Sequence, residues 1–174
     1  MKKLLMYLIA GTLFTTYSAT AQTNKGPRPS LPDTVKTTTS NGVNIEIDYS
    51  RPSVKGRTIG KDLEPMEGKA WRAGANEATT FVFSKDVKVE GKSLPAGKYS
   101  FFTIKNGNDW TLIFNKKWKI WGTTYEENKG EDALQVKVKG SKAPSFAEKV
   151  TYTIDKSGKV SMMWGSYLVD FTVK

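Results

Sequence analysis

Two groups of side chains have the types and spacing to do chemistry. Arg51 and Arg57 stand in the polar run Tyr49-Ser50-Arg51-Pro52-Ser53-Val54-Lys55-Gly56-Arg57, and Trp71 and Arg72 lead into Ala73-Gly74-Ala75-Asn76-Glu77. Only four of the 27 basic residues are arginines, and three of the four fall in this window. The planar guanidinium fork recognises carboxylate or phosphate in a fixed geometry, which the point charge of lysine does not. The segment therefore has two readings. One is a pocket for an anionic or polyhydroxy ligand built from Arg51, Arg57, Trp71, Arg72, Asn76 and Glu77. The other is a long loop whose arginines clamp it to Glu77, Glu64 or backbone carbonyls. Arg72, between Trp71 and three small residues, suits close packing; Arg51 and Arg57, flanking Pro52 and Gly56, are expected to be the more ligand-accessible. The second group is Trp118 and Trp121 among Lys116, Lys117 and Lys119. Exposed indoles stack on sugar rings or bases, and the ammonium groups meet anions. The competing reading has one or both tryptophans folded back as a cap on an open end of the fold.

Other chemistry is excluded by what is missing. The chain has no histidine and no cysteine, which removes a Ser-His-Asp triad, a Cys-His pair and any ordinary zinc site. No cofactor is expected. Gly91-Lys92-Ser93 resembles the end of a phosphate loop, but Asp86 stands where the first glycine belongs and a strand pattern follows. Neither G-x-S-x-G nor S-x-x-K occurs. Glu126, Glu127, Glu131 and Asp132 lack the alternating spacing of a calcium loop and read as a solvated turn.

The elements that must position these groups are strands. Val43, Ile45, Ile47 and Tyr49 alternate with Asn44, Glu46 and Asp48, a half-buried strand, and Asn41-Gly42 before it predicts a hairpin with Val35 to Thr39. Thr79 to Phe83, Val87 to Val89, Lys98 to Ile104 and Trp110 to Asn115 repeat the pattern, divided by Glu90-Gly91, Leu94-Pro95-Ala96-Gly97 and Asn106-Gly107-Asn108-Asp109. Four further strands are predicted at Ala133–Val138, Val150–Asp155, Val160–Trp164 and Tyr167–Val173. Ser157-Gly158 and Gly165-Ser166 serve as turns between the last three. The only helical turn expected lies near Ile59 to Met66. About nine or ten short strands predict an all-β fold, an antiparallel β-sandwich that is jelly-roll-like or related. Two long connections, Ser50 to Gly74 and Lys116 to Asp132, are the places for function.

In front of this domain, Met1-Lys2-Lys3, an apolar stretch to Tyr17 and Ala19-Thr20-Ala21 read as a signal peptide cleaved after Ala21, too short in its apolar core to span a bilayer. The expected organisation is a signal peptide over 1–21, a flexible Pro- and Gly-rich leader over 22–33, and one domain over 34–174. The protein is expected to be exported, periplasmic or secreted, with no transmembrane anchor after cleavage. Losing Lys2 and Lys3 takes the formal charge from +10 to +8. The lysines are dispersed as on a solvated face, so nucleic acid is not the expected partner. With no disulfide available, burial alone must hold the fold.

Tyr49-Ser50-Arg51-Pro52 with Lys55-Gly56-Arg57, Trp71-Arg72 with Gly74-Ala75-Asn76-Glu77-Ala78-Thr79, Phe83-Ser84-Lys85-Asp86-Val87 and Leu94-Pro95-Ala96-Gly97-Lys98-Tyr99 together resemble the exported bacterial domain-of-unknown-function family 2911. The resemblance runs from about Val35 to the C-terminus. It implies an exported β-rich domain and supplies no reaction or catalytic residue. The chain departs from the family pattern at Met66-Glu67-Gly68-Lys69-Ala70, where an aromatic-Gly pair and a β-branched residue are expected, and at Gly165, where an acid is expected after Trp164.

Three functional classes follow. The first is a non-enzymatic envelope or secreted binding module for a small anionic or glycan ligand. The second is a hydrolase using Glu77 with arginines or a second carboxylate, which must stand about 5–10 Å away. The third is a structural or interaction protein of the envelope that docks a partner through sheet edges or Trp118 and Trp121.

Overall fold

A computed structural model describes residues 28–174; the expected signal peptide over 1–21 and residues 22–27 of the expected leader lie outside the described residues. Strands β1 (Leu31–Thr38) and β2 (Asn44–Arg51) form the first hairpin, with Gly42 at φ +77° in its turn. Ile45, Ile47 and Tyr49 are buried, as their alternation requires. β1 begins inside the segment expected to be leader. Pro32 pairs with Ser50 there, which an edge strand tolerates because the proline's missing N–H need not enter a ladder.

The order continues through β3 (Ala70–Trp71), β4 (Thr79–Phe83), β5 (Val87–Val89), β6 (Lys92–Leu94), β7 (Gly97–Asn106), β8 (Asp109–Asn115), β9 (Asp132–Ile154) and β10 (Lys159–Thr172). The large sheet runs β1-β2-β4-β7-β8-β9-β10, with β3 also on β7, and β5–β6 forms a small second sheet. All these pairings are antiparallel.

The last strands differ from expectation. Ala133–Val138 and Val150–Asp155 are the two ends of the single long β9, and Val160–Trp164 and Tyr167–Val173 lie in the single β10. Gly165-Ser166 is not a turn. It is an irregularity at which β10 shifts register against β9, with Gly165 at φ +58°. A Cβ on Gly165 would lie 2.4 Å from Ile59 Cδ1, so the acid of the family pattern has no room here unless Ile59 moves. Near Ile59–Met66, where at most a short turn of helix is expected, the chain makes a single turn. Asp62 and Leu63 donate backbone N–H groups to Thr58 O at 2.8 and 3.2 Å, closing one turn that Pro65 prevents from propagating. The α-helix among the described residues, α1 (Tyr125–Asn128), lies in the other long connection.

β9 makes the sandwich. Up to Lys139 it pairs with β8, and from Gly140 onward with β10, so the sheet curls and β10 returns over its own beginning. Phe171 of β10 thereby packs 5.9–6.4 Å, centroid to centroid, from Phe81, Phe101 and Phe114 of β4, β7 and β8. Tyr152 of β9 meets Tyr49 of β2 edge-on at 4.7 Å. A second cluster, Phe102 and Ile113 with Ala78 and Tyr125, covers the opposite face of β7 and β8. The run Phe101-Phe102 is therefore buried on both sides, as its unbroken apolar character requires. No helix among the described residues is long and apolar enough to cross a membrane.

Phe171→Ala should cost about 3–5 kcal/mol in urea unfolding, whereas Phe146→Ala, at a residue 60% exposed, should stay within about 0.5 kcal/mol. Equal losses would contradict this packing. In the β9–β10 turn, the Ser157 hydroxyl and the Lys159 and Ser157 N–H groups hold the Asp155 carboxyl below its ordinary range. A depressed carboxylate contributes stability that is present above its unfolded pKa, about 4, and is lost as pH falls through the lowered value. Asp155→Asn should thus melt below wild type at pH 7, with the gap closing by about pH 2–3; a gap unchanged across that range would refute the assignment.

Candidate functional site

The register of the large sheet sets six polar residues directly opposite one another. Thr34 faces Asp48, Asp48 faces Thr80, Thr80 faces Ser100, Ser100 faces Asn115, and Asn115 faces Asp132. Their sequence neighbours Ile47, Phe81, Phe101 and Phe114 point into the core, so this row crosses the outer face. Its two halves do different things.

The Ser100–Asn115–Asp132 half holds the 116–131 connection. Ser100 Oγ donates to Lys117 O at 2.9 Å, and Lys117 N donates to Asn115 Oδ1 at 2.8 Å. Asn115 Nδ2 donates to Asn128 O and to Asp132 Oδ1, while Asp132 Oδ2 accepts from the Tyr125 hydroxyl at 2.9 Å. Burial and the neighbouring Asp132 carboxylate push the Tyr125 phenol well above its usual range, so it stays a donor. Asp132 is thus a structural acceptor, and among the described residues no acidic cluster is arranged to hold a metal ion. From this anchor the chain runs beside residues 76–78. Glu77 and Trp121 form an antiparallel bridge, Ala78 N donates to Ile120 O, and Gly122 N donates to Asn76 O.

The Thr34–Asp48–Thr80 half forms the floor of a groove of about 460 Å³, with Trp118, Ile120 and Trp121 on its lip and Pro32, Asp33, Arg28 and Glu77 also lining it. Trp118 and Trp121 are 42% and 51% exposed, so they do not cap the core. Thr34 Oγ1 donates to Asp48 Oδ1 at 2.8 Å, and Lys98 Nζ donates to Asp48 Oδ2 at 3.3 Å while lying 4.9 Å from the Trp118 ring centroid. Thr80 is buried between them, its hydroxyl sealed in without a hydrogen-bond partner among the described residues. Arg28 grips Glu77 through two 2.8 Å hydrogen bonds, which raise the guanidinium pKa further. Arg51 pairs with Asp33 at 3.2 Å.

Of the residues expected from sequence, Glu77, Trp118 and Trp121 line the groove; Arg51, Arg57, Trp71, Arg72 and Asn76 do not. Arg51, expected to be ligand-accessible, ties β2 to β9 through Val150 O at 3.0 Å and Thr151 Oγ1 at 2.9 Å. Arg57 donates to Val54 O and Ser53 O of its own loop. Trp71 is buried and donates Nε1–H to Gly74 O at 3.1 Å. Arg72 donates to Asn76 O at 2.7 Å, with its stem packed on Gly122 so closely that a Cβ there would lie 2.0 Å from Arg72 Cδ. Partial burial lowers its pKa, offset in part by Glu64. Asn76, at φ +62°, donates to Ser30 O. Arg72 and Asn76 shape the end of the groove by fixing the backbone that presents Glu77. Lys119, expected beside the tryptophans, lines the groove as well, whereas Thr34, Asp48, Thr80, Lys98 and Arg28 are groove residues that the sequence did not single out. On β2, Asp48 reads only as the polar phase of an alternating strand, and nothing local says what stands opposite it.

Fold and site together define an all-β antiparallel sandwich with an aromatic-lipped groove on the outer face of its large sheet. The chain belongs to the family described as "Protein of unknown function (DUF2911)", whose model matches residues 30–173. No curated protein and no solved structure matches it.

Losing the interlayer bonds of Arg51 in Arg51→Ala should cost about 1–3 kcal/mol. Arg57→Ala, which frees the exposed Ser53 carbonyl and a Val54 carbonyl that still accepts from Arg57 N, should cost less than about 1 kcal/mol in the same urea titration. The reverse order would show that Arg51 is not the clamp.

Proposed function

We propose that this chain is an exported, non-enzymatic binding module that takes a glycan in the groove beneath Trp118 and Trp121. The observation that carries the reading is the pairing of two half-exposed tryptophans with a floor whose charges are already matched, Lys98 with Asp48 and Arg28 with Glu77. Sugar rings present apolar C–H faces that settle on indoles, and hydroxyls that both donate and accept. Thr34, Asp48 and Lys98 offer such partners in orientations set by the sheet, at little cost in ordering on binding. The volume lies in the range of about 300–1,000 Å³ usual for small-ligand sites. Because the floor is charge-matched, a small anion gains little there, which favours the polyhydroxy reading over the purely anionic one. Both oxygens of Glu77 are engaged by Arg28, which favours binding over hydrolysis at that residue. Export rests on the pattern of residues 1–21 and is part of the same proposal.

The test is a panel of soluble cello-, chito-, xylo-, manno- and malto-oligosaccharides, read by titration calorimetry and tryptophan fluorescence. At least one should bind, and Trp118→Ala and Trp121→Ala should each weaken it about tenfold or more with the melting temperature nearly unchanged. Binding that survives both substitutions, or no binding by any glycan, overturns the reading.

A further inference from the structure

The groove's interior is balanced in charge, but its tryptophan lip is not. Among the cations lining it, Arg28 and Lys98 each hold a carboxylate, while Lys119 makes no ion pair among the described residues. Lys117, on the other side of Trp118, makes none either; its backbone is fixed by Ser100 and Asn115 at the row that continues the groove floor. Lys116, Lys117 and Lys119 are all exposed. The segment thus presents an indole flanked by ammonium groups, held in place by buried hydrogen bonds.

Resting on the glycan reading above, we infer that the ligand is an acidic polysaccharide: its ring lies on Trp118 and Trp121, and its ring-borne carboxylate or sulfate meets Lys117 and Lys119 on the lip. The division follows from where charge is still to be compensated. Inside the groove an added anion would stand against Asp48, whose partner Lys98 is already engaged. On the lip it meets ammonium groups without carboxylates of their own, and the exposed setting makes the attraction dependent on salt. Within the same connection Glu126 pairs with Lys129, and Glu127 and Glu131 are exposed, so among the described residues none of these acids pairs with the lysines beside Trp118. A polymer with an acid group on each or every other ring meets both demands, an apolar face for the indoles and a charge at the edge for the lysines.

The experiment pairs each charged probe with a neutral counterpart: tetragalacturonate against its full methyl ester, and a sulfated carrageenan tetrasaccharide against its desulfated form. In at least one pair the charged member should bind about tenfold or more tighter in low salt. Its advantage should shrink to about twofold or less at 0.5 M NaCl. In the double variant Lys117→Gln/Lys119→Gln the charged ligand should bind no tighter than its neutral partner does to that same variant, with the melting temperature unchanged. If the neutral members bind as well as the charged ones, or if a neutral glycan of the earlier panel binds and neither charged probe does, the acidic assignment falls and the groove reading stands. If no saccharide of either set binds, both fall together.

Discussion

The polar row Thr34–Asp48–Thr80–Ser100–Asn115–Asp132 is the constraint on which the site depends. It exists because the registers of six strands set these residues opposite one another, with a shift between Phe114 and Asn115 that brings Asn115 to Asp132, and because side chains alternate faces with a period of two. A slip of one residue in any strand would turn its polar member inward and its apolar neighbour out. The buried aromatic face, with Phe81, Phe101 and Phe114 one residue away from Thr80, Ser100 and Asn115, prevents that slip. Packing on the inner face thereby decides chemistry on the outer one. The row carries a cost as well, since the sealed Thr80 hydroxyl has no partner among the described residues and an unmet buried polar group costs on the order of 1–3 kcal/mol.

How the outer face is covered explains where the groove lies. Over β7 and β8 the 116–131 connection lies down on Phe102 and Ile113 through Tyr125, and the hydroxyl of that tyrosine locks onto Asp132. Over β1, β2 and β4 no described connection lies down in this way, and the 116–131 segment stops at Trp118 and Trp121 beside residues 76–78. The groove is the step between a covered and an uncovered part of one sheet. Its walls are as firm as the sheet, because Arg72, Asn76 and Gly122 bind the two connections to each other by backbone and guanidinium hydrogen bonds.

Electrostatics then separates floor from lip. Neighbouring strands and connections bring Asp48, Glu77 and Asp33 each within reach of one cation. The lysines of the tryptophan connection face solvent instead. Among the described residues, ammonium groups without an ion pair thus stand beside the exposed indoles of Trp118 and Trp121.

What the sequence determined by itself was local. Alternation in Val43 to Tyr49, the turn residues at Asn41-Gly42, Glu90-Gly91, Asn106-Gly107 and Ser157-Gly158, and the absence of helical period made the all-β antiparallel fold legible. The motif runs made the family legible, and the exposed-tryptophan reading of Trp118 and Trp121 was open from their lysine neighbours. These signals survive because turn chemistry and side-chain alternation act over two to five residues. Only the tertiary structure decided that Gly165-Ser166 is an irregularity inside β10 rather than a turn, because both flanking segments pair with the same strand β9. It also decided that Arg51 is consumed by Val150 and Thr151, about a hundred residues away, and that Asp48 meets Thr34, Thr80 and Lys98. Those partners are set by register and by the curl of β9. Both are properties of the packed sheet as a whole, since each pairing is held by the burial of every strand beside it.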